Sequence, residues 1–173
     1  MISKKMSDAI NTQMNLELFS AHLYLVMSSC ANDMGLKGAS NWFFVQYREE
    51  MIHVIKFYTY LTERGVVVSI PASKAVPGTY KSLLEMMQKT LSHEQLITSC
   101  INNLSELAVK EKDHATQIFL QWFVTEQIEE ENNDRDLIAK LKLVGDNGHG
   151  ILMIDGEMGQ RVFVAPVGSP LAV

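Results

Sequence analysis

Residues that break helices are scarce in this chain of 173 residues. Its four prolines, Pro71, Pro77, Pro166 and Pro170, leave residues 1–70 and 78–165 uninterrupted, and no glycine falls in 1–34, 39–64 or 79–144. Stretches of that length without either breaker exclude an all-β or doubly wound α/β fold and leave long helices. Cysteine is equally rare. Cys30 and Cys100 are too few and too far apart for a thiolate metal site or a disulfide framework, so they read as reduced, half-buried packing residues. There is no surplus of positive charge either: 15 basic against 20 acidic side chains give a net charge of -5, which offers nothing to nucleic acid or an anionic membrane. No run approaches the roughly 18 apolar residues of a spanning helix. Met1-Ile2-Ser3-Lys4-Lys5 leads into a polar helix rather than the apolar core of a signal peptide, and the expected setting is cytoplasmic.

What remains divides into four long helices. The first is expected from about Ser3 to Asp33, stopped by Gly35 and Gly38, and the second from near Ser40 to Gly65. Ser82-Leu83-Leu84-Glu85 fits a capping box opening the third. The span 79–144 is too long for one helix of a compact domain, and Lys110-Glu111-Lys112-Asp113 is its natural break, with Asp113 capping the fourth helix. A short fifth helix is expected over Ile151 to Arg161, followed by an apolar tail, residues 162–173. Short turns make two antiparallel hairpins, whereas the connection at 66–80 is long enough to run the length of a helix. The fold expected for residues 1–161 is therefore an all-α four-helix bundle with one long crossover between its second and third helices.

The apolar stripes of these helices carry an anomaly. They read Ile10, Met14, Glu17, Ala21, Tyr24 in the first helix and Phe43, Tyr47, Glu50, Val54, Phe57, Leu61 in the second. The third gives Leu83, Met87, Thr90, Glu94, Ile97, Ile101, Leu104, Ala108, and the fourth Leu120, Phe123, Gln127, Glu130, Asp134, Leu137, Leu141. Every helix places a glutamate on its buried stripe. The levels agree, since Glu94 lies 17 residues before Glu111 and Gln127 lies 16 after it. His53, three residues after Glu50, shares its helix face. Buried unpaired carboxylates cost several kcal/mol each, on the order of the penalties known for buried ions, and no Lys or Arg lies on the stripes. Two divalent cations would balance four carboxylates, with neutral His53 and Gln127 as further donors. Oxygen-rich ligation with one imidazole favours iron or manganese.

Met14-Asn15-Leu16-Glu17-Leu18, Arg48-Glu49-Glu50-Met51-Ile52-His53, His93-Glu94-Gln95-Leu96-Ile97 and the run from Phe119-Leu120-Gln121-Trp122 to Glu131 resemble the bacterial non-haem ferritins, and the likeness extends over about residues 4–160. The resemblance implies a ferroxidase: Fe(II) is oxidised by oxygen or hydrogen peroxide, and the ferric product is stored as mineral inside a homo-oligomeric shell of twenty-four subunits. It implies that Glu17, Glu50 and His53 hold one iron, and that Glu50 bridges to a second held by Glu94, Glu130 and Gln127. It further implies a third iron at Glu49, Glu126 and Glu129 with Glu130 shared, although a run of glutamates also reads as a solvated acidic face. Tyr24 reads equally as a core tyrosine and as the family's tyrosine beside the dinuclear site, a hydrogen-bond or electron donor.

Met51 stands where the related bacterioferritins place a haem-binding methionine, a place where non-haem members also carry Met, and haem is not expected. Rival readings are a haem-binding bacterioferritin-like shell and a di-iron oxidase or peroxidase without storage. Rubrerythrin-like electron delivery needs four thiolates that two cysteines cannot supply. The DNA-protecting miniature ferritins place their ligands between subunits, whereas this chain holds a full set within one bundle.

Overall fold

In the computed structural model, which describes residues 2–164, the chain forms α1 (Lys4–Asp33), α2 (Lys37–Glu63), α3 (Leu83–Glu111), α4 (His114–Val144) and α5 (Gly148–Met158). There is no strand among the described residues. The helix ends form where polar caps were expected. Ser3 Oγ accepts from the Met6 amide at 3.0 Å, and Ser82 Oγ from the Glu85 amide at 3.1 Å. Glu85 reaches back to the Lys81 amide at 2.7 Å, one residue earlier than in a standard capping box. Lys112 takes a left-handed φ of 56°, which ends α3, and Asp113 then caps α4 through the Thr116 amide at 3.2 Å.

Two helix starts differ from the sequence expectation. The second helix opens at Lys37 rather than near Ser40, with Gly38 inside it. Its cap is not local: the Asp155 carboxylate of α5 accepts from the Ala39 amide at 2.7 Å, across 116 positions of the chain. Gly38 lies directly against the backbone carbonyl of Asp155, an approach that any Cβ would prevent. The fifth helix opens at Gly148 rather than Ile151, because Asn147 caps it by accepting from the Gly150 amide at 3.0 Å.

Contacts across the bundle fix its topology. Ser3 bonds Glu111, Ser20 bonds His93 and Tyr24 bonds Glu94, so α1 and α3 run antiparallel. The tight turn at Gly35 also sets α1 against α2, which makes α2 and α3 parallel. The crossover must then travel the bundle's length. It does so along α1, where Asn11 and Asn15 hold the Ser69 carbonyl near one end and Cys30 meets the Gly78 carbonyl near the other. Gln117 of α4 bonds the Ala108 carbonyl and Gln127 bonds Glu94, so the second hairpin is antiparallel as well. Both cysteines are free and half-buried.

Of the expected stripe residues, only Tyr47 escapes full burial. The apolar core falls into two clusters. One gathers Met6, Ile10, Met14, Phe57, Ile101, Leu104, Leu120 and Phe123, and the other Leu23, Met27, Trp42, Phe43, Met87, Leu137 and Leu141 with α5 residues Ile154 and Met158. Between them lies a polar layer. No helix of the described residues is long and apolar enough to cross a membrane. The tail beyond Val164 lies outside the described residues.

The contact between α2 and α5 generates a prediction. Gly38→Ala drives a methyl group into the Asp155 backbone, at a cost of about 2 kcal/mol, typical of overpacking. Thermal unfolding of the variant is expected several degrees below the parent, with α5 losing amide-exchange protection first. An unchanged midpoint would contradict the close approach.

Candidate metal centre

The polar layer draws one turn from each of the four long helices. Glu17, Glu50, His53, Glu94, Gln127 and Glu130 are all buried. Glu50 and His53 lie three apart on α2, and His53 Nδ1 is 3.1 Å from Glu50 Oε2 and 3.9 Å from Glu17 Oε2. Edge-on packing of the imidazole against Trp122 and Phe123 fixes its ring plane. Ligand atoms of Glu17, Glu50 and His53 lie within 4.8 Å of one another, as do those of Glu50, Glu94 and Glu130. The two groups share Glu50. Gln127 Nε2 donates to Glu94 Oε2 at 3.0 Å, which leaves its amide oxygen as the available donor atom toward a cation.

Charge in this layer is uncompensated by protein. Among the described residues no lysine or arginine pairs with Glu17, Glu50, Glu94 or Glu130. Burial pushes the Glu17 carboxyl upward against the pull of His53. Burial, and then the charges of Glu94 and Glu17, lift Glu50 well above the usual carboxylate range. Glu130 rises through burial and then Glu94 and Glu50. Glu17 Oε2 and Glu130 Oε2 are buried and have no hydrogen-bond partner among the described residues. Orphaned acceptors of this kind are rare in folded proteins. Two of them flanking a shared carboxylate fit hard divalent cations.

The remaining expected residues are distributed unevenly. The Tyr24 hydroxyl donates to Glu94, and burial followed by the Glu94 charge holds its phenol well above the usual range. Glu126 joins His53 and Glu130 in a third convergent group. Glu49 and Glu129 are not gathered there: Glu129 is exposed, and Glu49 is paired with Arg161 at 2.5 Å. Met51 is half-buried beside a groove of about 390 Å³ shared with Phe44, Tyr47, Arg48 and Phe163.

Three residues bordering the centre were not singled out from the sequence. Gln13, one turn before Glu17, donates to Glu17 Oε1 at 2.8 Å and orients it. Asp134 stood on the α4 stripe and is 1% exposed, with Oδ2 unpartnered among the described residues. Its place on that stripe, one turn past Glu130, was the available signal. Arg161 gave none, since its partner Glu49 is 112 positions away.

A layer of buried glutamates spread over four helices, joined by a crossover that runs the bundle's length, defines the class of ferritin-like carboxylate bundles. The chain belongs to the ferritin family of iron-storage proteins; the ferritin-like domain matches residues 7–144. It is 42% identical over 159 residues to a probable bacterial non-heme ferritin-like protein of Haemophilus influenzae, covering 92% of this chain and 96% of that one. It is 38% identical to the bacterial non-heme ferritin of Staphylococcus aureus over 94% of this chain and 98% of that one. The open-pore ferritin of Archaeoglobus fulgidus superposes with a TM-score of 0.92 at 42% identity, covering 94% of this chain and 99% of that one.

Asp134 generates a pH prediction. Burial first, then the Glu94 charge, raises its carboxyl from 3.8 to about 8. The native chain therefore holds a proton that the unfolded chain releases, a contribution fully present below pH ~4 and lost as pH rises through ~8. The metal-free protein is expected to melt at lower temperature at pH 8.5 than at pH 5. Asp134→Asn, which cannot ionise, should raise the midpoint by about 3 °C or more at pH 8.5 and by less at pH 5. Equal shifts at both values would contradict a buried, proton-holding carboxyl.

Proposed function

We propose that this ferritin is a ferroxidase: it oxidises Fe(II) at the Glu17–Glu50–His53 and Glu50–Glu94–Glu130 groups and stores the ferric product inside a shell built from copies of itself, in the cytoplasm. The observation that carries the reading is the pair of orphaned oxygens, Glu17 Oε2 and Glu130 Oε2, on either side of Glu50. Iron is the substrate here. Four carboxylates balance two Fe(II) ions, and hard anionic oxygens favour Fe(III) over Fe(II), which lowers the barrier to electron loss. Each iron gives one electron. Dioxygen takes two electrons and two protons to become hydrogen peroxide, and peroxide takes two more of each to become water.

The protein's own part is positional. Glu50 sets the separation of the two ions, Gln13 and Gln127 orient Glu17 and Glu94, and His53 supplies the neutral donor. Tyr24, bonded to Glu94, is placed to steady that carboxylate and to lend an electron during turnover. Gln127 carries no charge, so the second iron is held less tightly and its product leaves more readily. Glu126, with Glu130 shared, offers a third iron position beside the pair, toward which Glu49 and Glu129 would have to move. Haem has no part in this reading.

Fe(II) added in air to the metal-free protein tests it, with ferric absorbance followed and the product sized by chromatography. Rapid oxidation with hundreds of ferric ions eluting in one very large particle is expected, and Glu50→Ala should slow it at least tenfold without dispersing the particle. Two irons held per chain with no further uptake, on a small oligomer, would point to a di-iron oxidase. Gln127→Glu is expected to bind the second iron more tightly and to slow repeated turnover; release as fast as in the parent would contradict the role given to Gln127.

A further inference from the structure

The segment after α5 is fastened to α2 more firmly than a chain end requires. Asn41 of α2 donates to the Arg161 carbonyl at 2.9 Å and to the Gly159 carbonyl at 3.4 Å. The Arg161 guanidinium lies over the Trp42 ring, 4.6 Å from its centre, and two residues later Phe163 lies against Arg48 at 3.9 Å. These anchors deliver Arg161 Nη2 to Glu49 Oε2 at 2.5 Å. Glu49 is thereby withheld from the neighbouring group in which Glu126, Glu130 and His53 converge.

A guanidinium keeps its charge at every accessible pH. A third cation approaching Glu126 and Glu130 therefore meets two effects of the same sign. The carboxylate that would complete its ligand set is already engaged, and a fixed positive charge stands beside the site. Burial raises the Glu126 and Asp134 carboxyls, and the field of that charge reaches both and opposes the rise.

The same guanidinium has a second place to go. Among the described residues Arg161 Nη1 is buried without a partner, and so is Asp134 Oδ2. Asp134 follows Glu130 by one helical turn, and its neighbours Asn133, Asp136 and Leu137 line, together with Arg161, a cavity of about 420 Å³. Arg161, with its unused donor, borders space in which the side chain can turn, and the unused acceptor of Asp134 lies buried behind that lining, next in sequence to Asn133.

We propose that Arg161 gates the third iron position: it holds Glu49 out of the Glu126–Glu130–His53 group and, when a third cation takes Glu49, passes to Asp134. Arg161 is a positioning residue in this scheme and touches no iron. The gate makes the third position weaker than the dinuclear pair, so that the pair fills first and the loading of one subunit is ordered. This inference rests on the third position belonging to the centre, as proposed above.

Calorimetric titration of the metal-free shell with Fe(II) under argon tests it, with thermal melting as a control for folding. Two tight binding events per chain and one weak one are expected in the parent. Arg161→Gln should tighten the third event about tenfold and leave the first two unchanged, while Arg161→Lys, which keeps the charge, should stay near the parent. Asp134→Asn should weaken the third event in the parent and have no effect on it in the Arg161→Gln background. A third event that is unchanged or weaker in Arg161→Gln overturns the gate and leaves the third position standing. An Asp134→Asn variant identical to the parent overturns the transfer to Asp134. Only two events in every variant overturns both the gate and the third position, and leaves the dinuclear reading intact.

Discussion

Four carboxylates buried in one layer of a helical bundle, with no lysine or arginine paired to them among the described residues, set the terms for the rest of this structure. Each raises the free energy of the fold through lost hydration, and together they repel one another. The bundle tolerates them because the apolar core is divided into two clusters, one above and one below, each large enough to hold its own half of the helices together. The layer is thus a built weakness between two stable ends. Protons relieve it partially in the metal-free protein, as the raised carboxyls of Glu50, Glu130 and Asp134 indicate. In the proposed reading divalent iron relieves it further, and the same electrostatics that make the layer costly would give it affinity.

The geometry of the crossover follows from this requirement. A bundle of simple up-and-down hairpins would also bury four stripes. Here Glu17, Glu50, Glu94 and Gln127 with Glu130 meet at one height on helices whose middle pair is parallel, and that order needs a connection as long as the bundle itself. The Asn11 and Asn15 side chains at one end and Cys30 at the other tie the connection to α1, so that its exposed backbone has partners along the way.

Much of this was legible in the chain. The stripes, the break at Lys112-Asp113 and the level of the glutamates follow from spacing alone, because periodicity and capping are local properties. The start of α2 was not legible, since its cap is Asp155, a residue of another helix. Tyr47 escaped the burial its stripe position implied. At the centre, the glutamates of the convergent groups were visible as polar intrusions on apolar faces, and Asp134 was visible in the same way without its isolation being apparent. Glu49 illustrates the limit: its pairing with Arg161, a residue 112 positions distant, leaves no mark in the local sequence around Glu50.

The central claim is that the buried layer exists to hold two metal ions bridged by Glu50. Crystals of the metal-free protein soaked anaerobically with Fe(II) and measured at the iron absorption edge address it directly. The account predicts two anomalous peaks in each subunit, one among Glu17, Glu50 and His53 and one among Glu50, Glu94 and Glu130, with Glu50 contacting both. Full-occupancy soaks that leave the layer without a peak, its carboxyls protonated and bonded to one another, would contradict it.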